Sequence, residues 1–132
     1  MAQILVVEDN AVNMRLASIM LTRSGHEVLG AENAMDGIRL AQAHRPDVIL
    51  MDIQLPDLDG FEATRRLKQD AATMSIPIIA VTAHAMRGDE SRLKAAGCDG
   101  YLAKPYRRAE LLEAIGAWLQ PAAQSRAGAA IT

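Results

Sequence analysis

The sequence is poor in cysteine and has no cluster of histidines, and each shortage excludes a class of protein. Its single cysteine, Cys98, cannot form an internal disulfide, so a reducing compartment is expected. The three histidines, His26, His44 and His84, lie too far apart in sequence to form a recognisable metal-binding motif. The sequence therefore predicts neither a disulfide scaffold nor a histidine-based metal site.

The chain also lacks a charge excess, a long apolar run and a nucleotide-binding motif. Its formal net charge of −2 gives no basic face for nucleic acid. No apolar stretch approaches the roughly 20 residues that cross a bilayer, and the first residues do not resemble a signal peptide. No glycine-rich phosphate loop opens a helix. We therefore expect a soluble, cytoplasmic protein that binds neither nucleic acid nor membrane.

The composition that is present suits one domain. The chain has 132 residues, of which 50% are apolar, and this is enough to fill a single core. The last dozen residues are mostly Ala, Gly, Ser and Gln, with little to bury. We predict one domain over residues 1–120 and a flexible tail over 121–132.

Hydrophobic periodicity predicts alternating strands and helices. Short runs rich in Val and Ile, such as 4–7, 48–51 and 76–81, are apolar without alternation, as in strands buried on both faces of a parallel sheet. Between them apolar residues recur at helical spacing, at Val12, Leu16, Ile19 and Met20 for the first helix. Strands are predicted at 3–8, 27–31, 47–52, 76–82 and 99–103, and helices near 10–24, 33–44, 59–70, 86–96 and 107–120. Asn10 and Asn33 are suitable N-caps, and Gly25 and Gly97 suit left-handed helix ends.

Polar side chains follow the strands of this predicted α/β fold at their carboxyl ends, where ligands bind in open parallel sheets. Glu8 and Asp9 follow the first strand, Asp52 ends the third, Thr82 ends the fourth and Lys104 follows the fifth. Three neighbouring carboxylates repel, at about 4 kcal/mol for a pair about 4 Å apart at an effective dielectric near 20. Mg²⁺, a hard cation with oxygen ligands, would relieve this repulsion, and Mn²⁺ is a possible substitute.

This combination supports phosphoryl chemistry on an aspartate. Aspartate is a covalent nucleophile for phosphoryl groups, and a metal with a lysine neutralises charge during the transfer. Taken singly, Asp9 or Asp52 would more often be a helix cap or a loop acid, Thr82 a locally bonded hydroxyl, and Lys104 a surface lysine. The hypothesis depends on their coincidence at one sheet edge. Asp57 and Asp59 are interpreted as ordinary residues of a turn.

The same residues resemble those of a known family. Over about residues 2–120 the chain resembles the receiver domains of two-component response regulators, and its segments look most like stand-alone receivers of the DivK type and receiver modules of hybrid kinases. The matching motifs are VVEDN at 6–10, MDIQLP at 51–56 with Gly60 following, VTA at 81–83 and YLAKP at 101–105. The resemblance implies a doubly wound, flavodoxin-like, five-stranded parallel sheet of order 2-1-3-4-5 within a three-layer sandwich.

The resemblance also implies a role for each residue. Asp52 would accept the phosphoryl group and also bind Mg²⁺, Asp9 would bind Mg²⁺ directly, Glu8 would bind it through water, and the backbone carbonyl of Gln54 would complete the protein ligands. Lys104 would pair with the phosphoryl oxygens.

The resemblance also implies residues that respond to phosphorylation and residues that set how long it lasts. Thr82 and Tyr101 would form the switch, although Tyr101 taken alone could be a half-buried strand aromatic. The Lys104–Pro105 bond would be cis, and Gln54 and His84 would set the phosphoryl lifetime.

The implied partners are proteins. A histidine kinase or a histidine phosphotransfer protein would donate the phosphoryl group, and an effector would bind the face formed by the fourth helix, fifth strand and fifth helix. The fourth helix has few apolar positions and an internal Gly88, so we expect it to be loosely held. A monomer or weak dimer is expected.

Two rival functions remain. One is an interaction module that works without phosphorylation, against which the complete set of five site residues argues. The other is a Mg²⁺-dependent phosphohydrolase with an aspartyl phosphate intermediate. That chemistry needs a general acid about two residues beyond the nucleophile, where this chain has Gln54, which cannot protonate a leaving group. We therefore expect a signalling protein that is not an enzyme, although it promotes its own phosphorylation and dephosphorylation.

Overall fold

Five strands alternate with five helices over residues 2–83 and 87–131, which the computed structural model describes. The strands are β1 (Gln3–Val7), β2 (Glu27–Ala31), β3 (Val48–Asp52), β4 (Ile78–Thr82) and β5 (Gly100–Ala103). The helices are α1 (Ala11–Arg23), α2 (Ala34–His44), α3 (Gly60–Gln69), α4 (Arg87–Ala96) and α5 (Arg108–Ile131). No helix in these ranges is both long enough and apolar enough to cross a membrane.

The strands form one parallel sheet in the order β2-β1-β3-β4-β5, which confirms the predicted fold. Neighbouring strands end at nearly the same level of the sheet. Val7 pairs with Met51, Asp52 with Val81, and Thr82 with Ala103. The carboxyl ends of β1, β3, β4 and β5 therefore lie side by side at one edge of the sheet.

Apolar side chains pack on both faces of the sheet and make three layers. Alternate residues of β1 point to opposite faces: Ile4 and Val6 join one cluster, and Leu5 and Val7 join the other. The first cluster receives side chains from α1 and α5, and the second from α2 and α3. Burial on both faces explains why the central strands are continuous apolar runs.

The predicted helix boundaries hold where capping fixes them. The side chain of Asn10 accepts from the backbone N–H of Asn13, and that of Asn33 from the N–H of Asp36. Gly25 and Gly97 have φ of 88° and 103°, which places both in the left-handed region as predicted.

Helix α1 exposes much of its apolar surface. Its buried residues are Ala17 and Leu21. By contrast Val12 is 66% exposed, Leu16 49% and Ile19 39%, and their i, i+4, i+7 spacing places them along one side of the helix. We call these three residues the α1 ridge. The periodicity identified the helix correctly, but it did not identify the side that packs on the sheet.

Helix α5 differs from its predicted extent. The sequence placed its end at 120, whereas the helix continues to Ile131. Five alanines lie between 121 and 131, and alanine is the best helix-forming residue, so composition favours continuation even after Pro121. The flexibility expected for 121–132 stays a prediction.

Candidate functional site

The polar residues predicted from the sequence meet at the carboxyl edge of the sheet. One ligand oxygen from each of Glu8, Asp9 and Asp52 lies within 4.8 Å of the other two. Glu8 is 6% exposed and Asp52 5%, whereas Asp9 is exposed. Two of the three carboxylates have therefore lost most of their contact with water, and their charge must be balanced within the protein.

Lys104 supplies part of that balance. Its Nζ lies 2.8 Å from Oε1 of Glu8 and 3.1 Å from Oδ2 of Asp52. Burial by itself lowers the pKa of Lys104, but the hydrogen bonds to Glu8 and then Asp52 outweigh it, and the pKa is raised. The side chain is thus a fixed ammonium between two carboxylates.

Each buried carboxylate is also oriented by a backbone N–H. Glu8 accepts from the N–H of Asn10 at 3.1 Å through Oε2, and Asp52 accepts from that of Gln54 at 3.0 Å through Oδ1. One oxygen of each acid is thus held by the loop that follows its strand, and the other by Lys104. This pattern fixes the rotation of both carboxyl groups without help from a ligand.

The charge that remains suits a divalent cation. Three carboxylates and one ammonium leave two negative charges within a few ångströms. Clustered carboxylate oxygens are the donor set of a hard cation such as Mg²⁺, whose shell water and a phosphate oxygen can complete. The residues at this edge therefore fit the ion that the sequence predicted.

Thr82 and Tyr101 lie on neighbouring strands beside the acids. Thr82 is buried at the end of β4, and its carbonyl accepts from the N–H of Lys104 at 2.8 Å. Tyr101 on β5 pairs with Ala80, two residues before Thr82, and its side chain is 46% exposed. The structure thus places the ring on the outer surface of β5. The Lys104–Pro105 bond is cis.

The residues expected to set the phosphoryl lifetime are only partly described. Gln54 is exposed, two residues beyond Asp52. His84 lies outside the described residues, as does Met86, where the fourth helix was predicted to begin.

A cleft of about 350 Å³ opens beside Lys104, and α1 forms one wall. Leu16 and Met20 line it together with Lys104, Pro105 and Tyr106. Burial, and then the Glu8 carboxylate, raise the pKa of Tyr106, so its hydroxyl stays protonated. The α1 ridge, through Leu16, is thus continuous with the site.

Comparison with known families identifies the chain. The profile of the response regulator receiver domain matches residues 4–116. The chain belongs to the response regulator receiver domain family. The matched segment contains all five strands except the first residue of β1, so the receiver fold and its carboxyl-edge site fall inside the match.

Receiver proteins among the curated relatives are similar along most of their length. The polar-differentiation response regulator DivK of Brucella anthropi is 45% identical over 116 residues, which are 88% of this chain and 94% of that protein. DivK of Brucella ovis is 43% identical over the same shares. The resemblance to receivers of the DivK type is therefore confirmed.

Solved receiver structures share the fold. The receiver domain of a sensor histidine kinase from Pseudomonas aeruginosa is 41% identical, covers 90% of this chain and 98% of its own, and has a TM-score of 0.84. That crystal structure has a magnesium ion coordinated in its active site cleft. The chemotaxis protein CheY4 of Vibrio cholerae is 29% identical, covers 89% and 98%, and has a TM-score of 0.85.

Sequence reasoning missed two contacts at this receiver site. The sequence placed Lys104 at the same edge as the acids, but it did not predict the salt bridge with Glu8, which joins residues 96 positions apart. Asp57 was assigned to an ordinary turn, yet its carboxylate accepts from two backbone N–H groups of α2. The only sequence signal for the second contact is an acid in the loop after β3.

Proposed function

We propose that this receiver domain accepts a phosphoryl group on Asp52 from a histidine kinase or a histidine phosphotransfer protein, in a reaction that requires Mg²⁺. One observation carries the proposal. The Asp52 carboxylate is buried and oriented, with the Lys104 ammonium 3.1 Å away and ligand oxygens of Glu8 and Asp9 within 4.8 Å. A nucleophile, a counter-charge and a set of metal ligands are thus available at one point.

The residues of the site would divide the work of transfer. A carboxylate oxygen of Asp52 forms a bond to phosphorus as the bond from phosphorus to the donor's histidine nitrogen breaks, and the electron pair stays on that nitrogen. Lys104 neutralises charge on the phosphoryl oxygens. Glu8 and Asp9, with the Gln54 carbonyl, would hold Mg²⁺, which stabilises charge on the same oxygens.

Phosphorylation would act on partners through Thr82 and Tyr101. The Thr82 hydroxyl would bond the new phosphoryl group, and the Tyr101 ring would turn inward from its exposed position on β5. Such a switch needs only that the phosphorylated site favour one of two packings. An effector would then bind the face formed by α4, β5 and α5. Gln54 and His84 would set how long the signal lasts.

The surroundings of the site favour a protein as the donor. The cleft beside Lys104 is walled by apolar side chains of α1, and the α1 ridge continues from it. Exposed apolar surface of this kind marks protein contacts. A donor protein that brings a phosphohistidine to Asp52 would cover this ridge.

Intact-mass spectrometry tests the proposal. The protein is incubated with acetyl phosphate and Mg²⁺, and one added phosphoryl group is expected. It should be absent with EDTA and in Asp52→Asn. Asp59→Asn, a change at the end of the loop that follows Asp52 and outside the acidic cluster, is the matched control and should still be modified.

The rival functions give different results. A phosphohydrolase would release phosphate continuously from many phosphate esters while little adduct accumulates. An interaction module would neither bind Mg²⁺ nor gain mass with acetyl phosphate or with any phosphorylated donor protein. Either result would overturn the proposal.

A further inference from the structure

Asp57 makes a contact that the phosphoacceptor mechanism does not use. Its Oδ1 accepts from the backbone N–H of Ala34 at 2.9 Å, and its Oδ2 accepts from that of Met35 at 3.0 Å. These are the first two N–H groups of α2, and a helix cannot satisfy them internally. The contact joins the β3–α3 loop to a helix that lies more than 20 positions earlier in the chain.

The hydrogen bonds from α2 stabilise the ionised form of the Asp57 carboxylate. The Asp57 pKa is lowered, chiefly by the hydrogen bond from Ala34, although the side chain is exposed. The neighbouring cap is separate, because Asn33 accepts from the third N–H of α2, that of Asp36. The start of α2 thus has two anchors, one local and one supplied by the loop after Asp52.

The start of α2 is itself fixed to the strand that carries Glu8. Gly37 lies directly against Val7, since a Cβ at Gly37 would be 2.7 Å from Cγ2 of Val7. The N–H of Glu8 also donates to the carbonyl of Ala31, just before α2, at 2.9 Å. A loop that is bonded to the first turn of α2 therefore has a fixed position relative to Glu8.

The loop that Asp57 anchors contains Gln54. Asp57 lies three positions after Gln54, a backbone length of at most about 10 Å. Leu55 and Leu58 pack against the core and hold the loop close to it. Apolar contacts are not directional, so they do not fix the orientation of the loop. The two hydrogen bonds of Asp57 are directional, and they fix how the loop lies relative to Glu8.

We infer that Asp57 is a positioning residue, which clamps the Gln54 loop to α2 so that the metal ligands of the two loops keep their spacing. This inference rests on the proposed function only in taking Mg²⁺ as the ion bound. Asp57 does not touch the ion; it acts through Gln54. Residues that orient metal ligands in this way typically account for about 10-fold to 100-fold in affinity.

The experiment compares Asp57→Ala with Asn33→Ala, its matched control. Both remove a side-chain cap from the same turn of α2, but only the first releases the loop. Amide hydrogen exchange followed by NMR reports the clamp, and calorimetric titration with Mg²⁺ alone reports the site. In Asp57→Ala we expect faster exchange at Ala34 and Met35 and about tenfold weaker Mg²⁺ binding.

The control should behave differently. In Asn33→Ala the Asp36 amide should exchange faster while the Mg²⁺ affinity stays within about twofold of wild type. Asp57→Asn keeps one acceptor oxygen and should lie between wild type and Asp57→Ala. It also carries the test if the alanine variant does not fold.

Two results would overturn the clamp. One is an unchanged Mg²⁺ affinity in a folded Asp57 variant whose Ala34 and Met35 amides exchange faster. The other is equal weakening by Asn33→Ala, which would mean that α2 stability alone matters. Neither measurement uses a phosphodonor, so a wild-type protein that binds Mg²⁺ but is never phosphorylated would refute the proposed function and leave the clamp standing. A wild-type protein that does not bind Mg²⁺ would refute both.

Discussion

The Nζ of Lys104 lies 3.1 Å from Oδ2 of Asp52, so this buried carboxylate is paired with a cation before any ligand arrives. The same nitrogen reaches Glu8 at 2.8 Å. Lys104 therefore has two opposing effects: it stabilises the two buried carboxylates, and it repels a second cation at the site.

Replacing Lys104 should separate these effects. Lys104→Met leaves Glu8 and Asp52 buried without a counter-charge, and we expect it to lower the free energy of unfolding of the Mg²⁺-free protein by about 2 kcal/mol. The missing positive charge should tighten Mg²⁺ binding, by about fivefold. Denaturant unfolding and calorimetric titration measure the two quantities. Lys68→Met, which removes an ion pair with Asp99 away from the site, should leave Mg²⁺ affinity unchanged.

Removing Asp9 should abolish the stabilisation by Mg²⁺ without harming the fold. Asp9 is exposed, so Asp9→Asn loses a ligand and relieves repulsion at little structural cost. At a Mg²⁺ concentration ten times Kd, wild-type protein should gain about 1.4 kcal/mol, a rise of a few degrees in Tm. Thermal unfolding with and without Mg²⁺ should show this rise in wild type and in Glu113→Gln, an exposed acid on α5, and not in Asp9→Asn. A rise of the same size in Asp9→Asn would contradict the assigned ligand.

Leu16 should matter for a protein donor and not for a small one. Leu16→Ser exchanges an exposed side chain of the α1 ridge, so stability should change by only about 0.5 kcal/mol. Transfer from a phosphorylated histidine phosphotransfer protein should slow by about tenfold, since that donor would cover the ridge. Uptake from acetyl phosphate should be unaffected. Met74→Ser, an equally exposed apolar residue outside the ridge, serves as the control, and equal slowing in both variants would exclude a specific contact.

The ring of Tyr101 should change its environment on phosphorylation. The chain has two tyrosines, so in a Tyr106→Phe background fluorotyrosine labelling gives a single ¹⁹F resonance from Tyr101. With acetyl phosphate and Mg²⁺ this resonance should shift and lose its sensitivity to solvent isotope. In Thr82→Ala the phosphoryl group should still bind while most of the shift is lost. A full shift without the Thr82 hydroxyl would separate the ring from the proposed switch.

The sequence predicted the parts of this protein that follow from local chemistry. Buried strands reveal themselves as continuous apolar runs, and parallel strands must bring their carboxyl ends to one edge, so Glu8 and Asp52 could be placed together before the structure was known. Asn10 and Gly25 were predicted for the same reason, since capping needs only adjacent residues. The strand order itself came from the family resemblance.

Tertiary contacts were beyond this reasoning. An acid after a proline, such as Asp57, has the same local pattern whether it faces water or caps a distant helix. The α1 ridge shows the same limit, because helical periodicity does not reveal which apolar residues of a helix pack on the sheet and which stay exposed. Helix α5 continues past Pro121 to Ile131, through a segment in which five alanines favour helix while Pro121 and Gly128 do not.

The salt bridge of Lys104 with Glu8 spans 96 positions of the chain. During synthesis Lys104 is added 96 residues after Glu8. At a synthesis rate of about 5–20 residues per second, several seconds pass between the addition of Glu8 and that of Lys104. A nascent chain that stops short of Lys104 thus has its acidic cluster without the ammonium that neutralises part of it, and the site is complete only after β5 and Lys104 have been made.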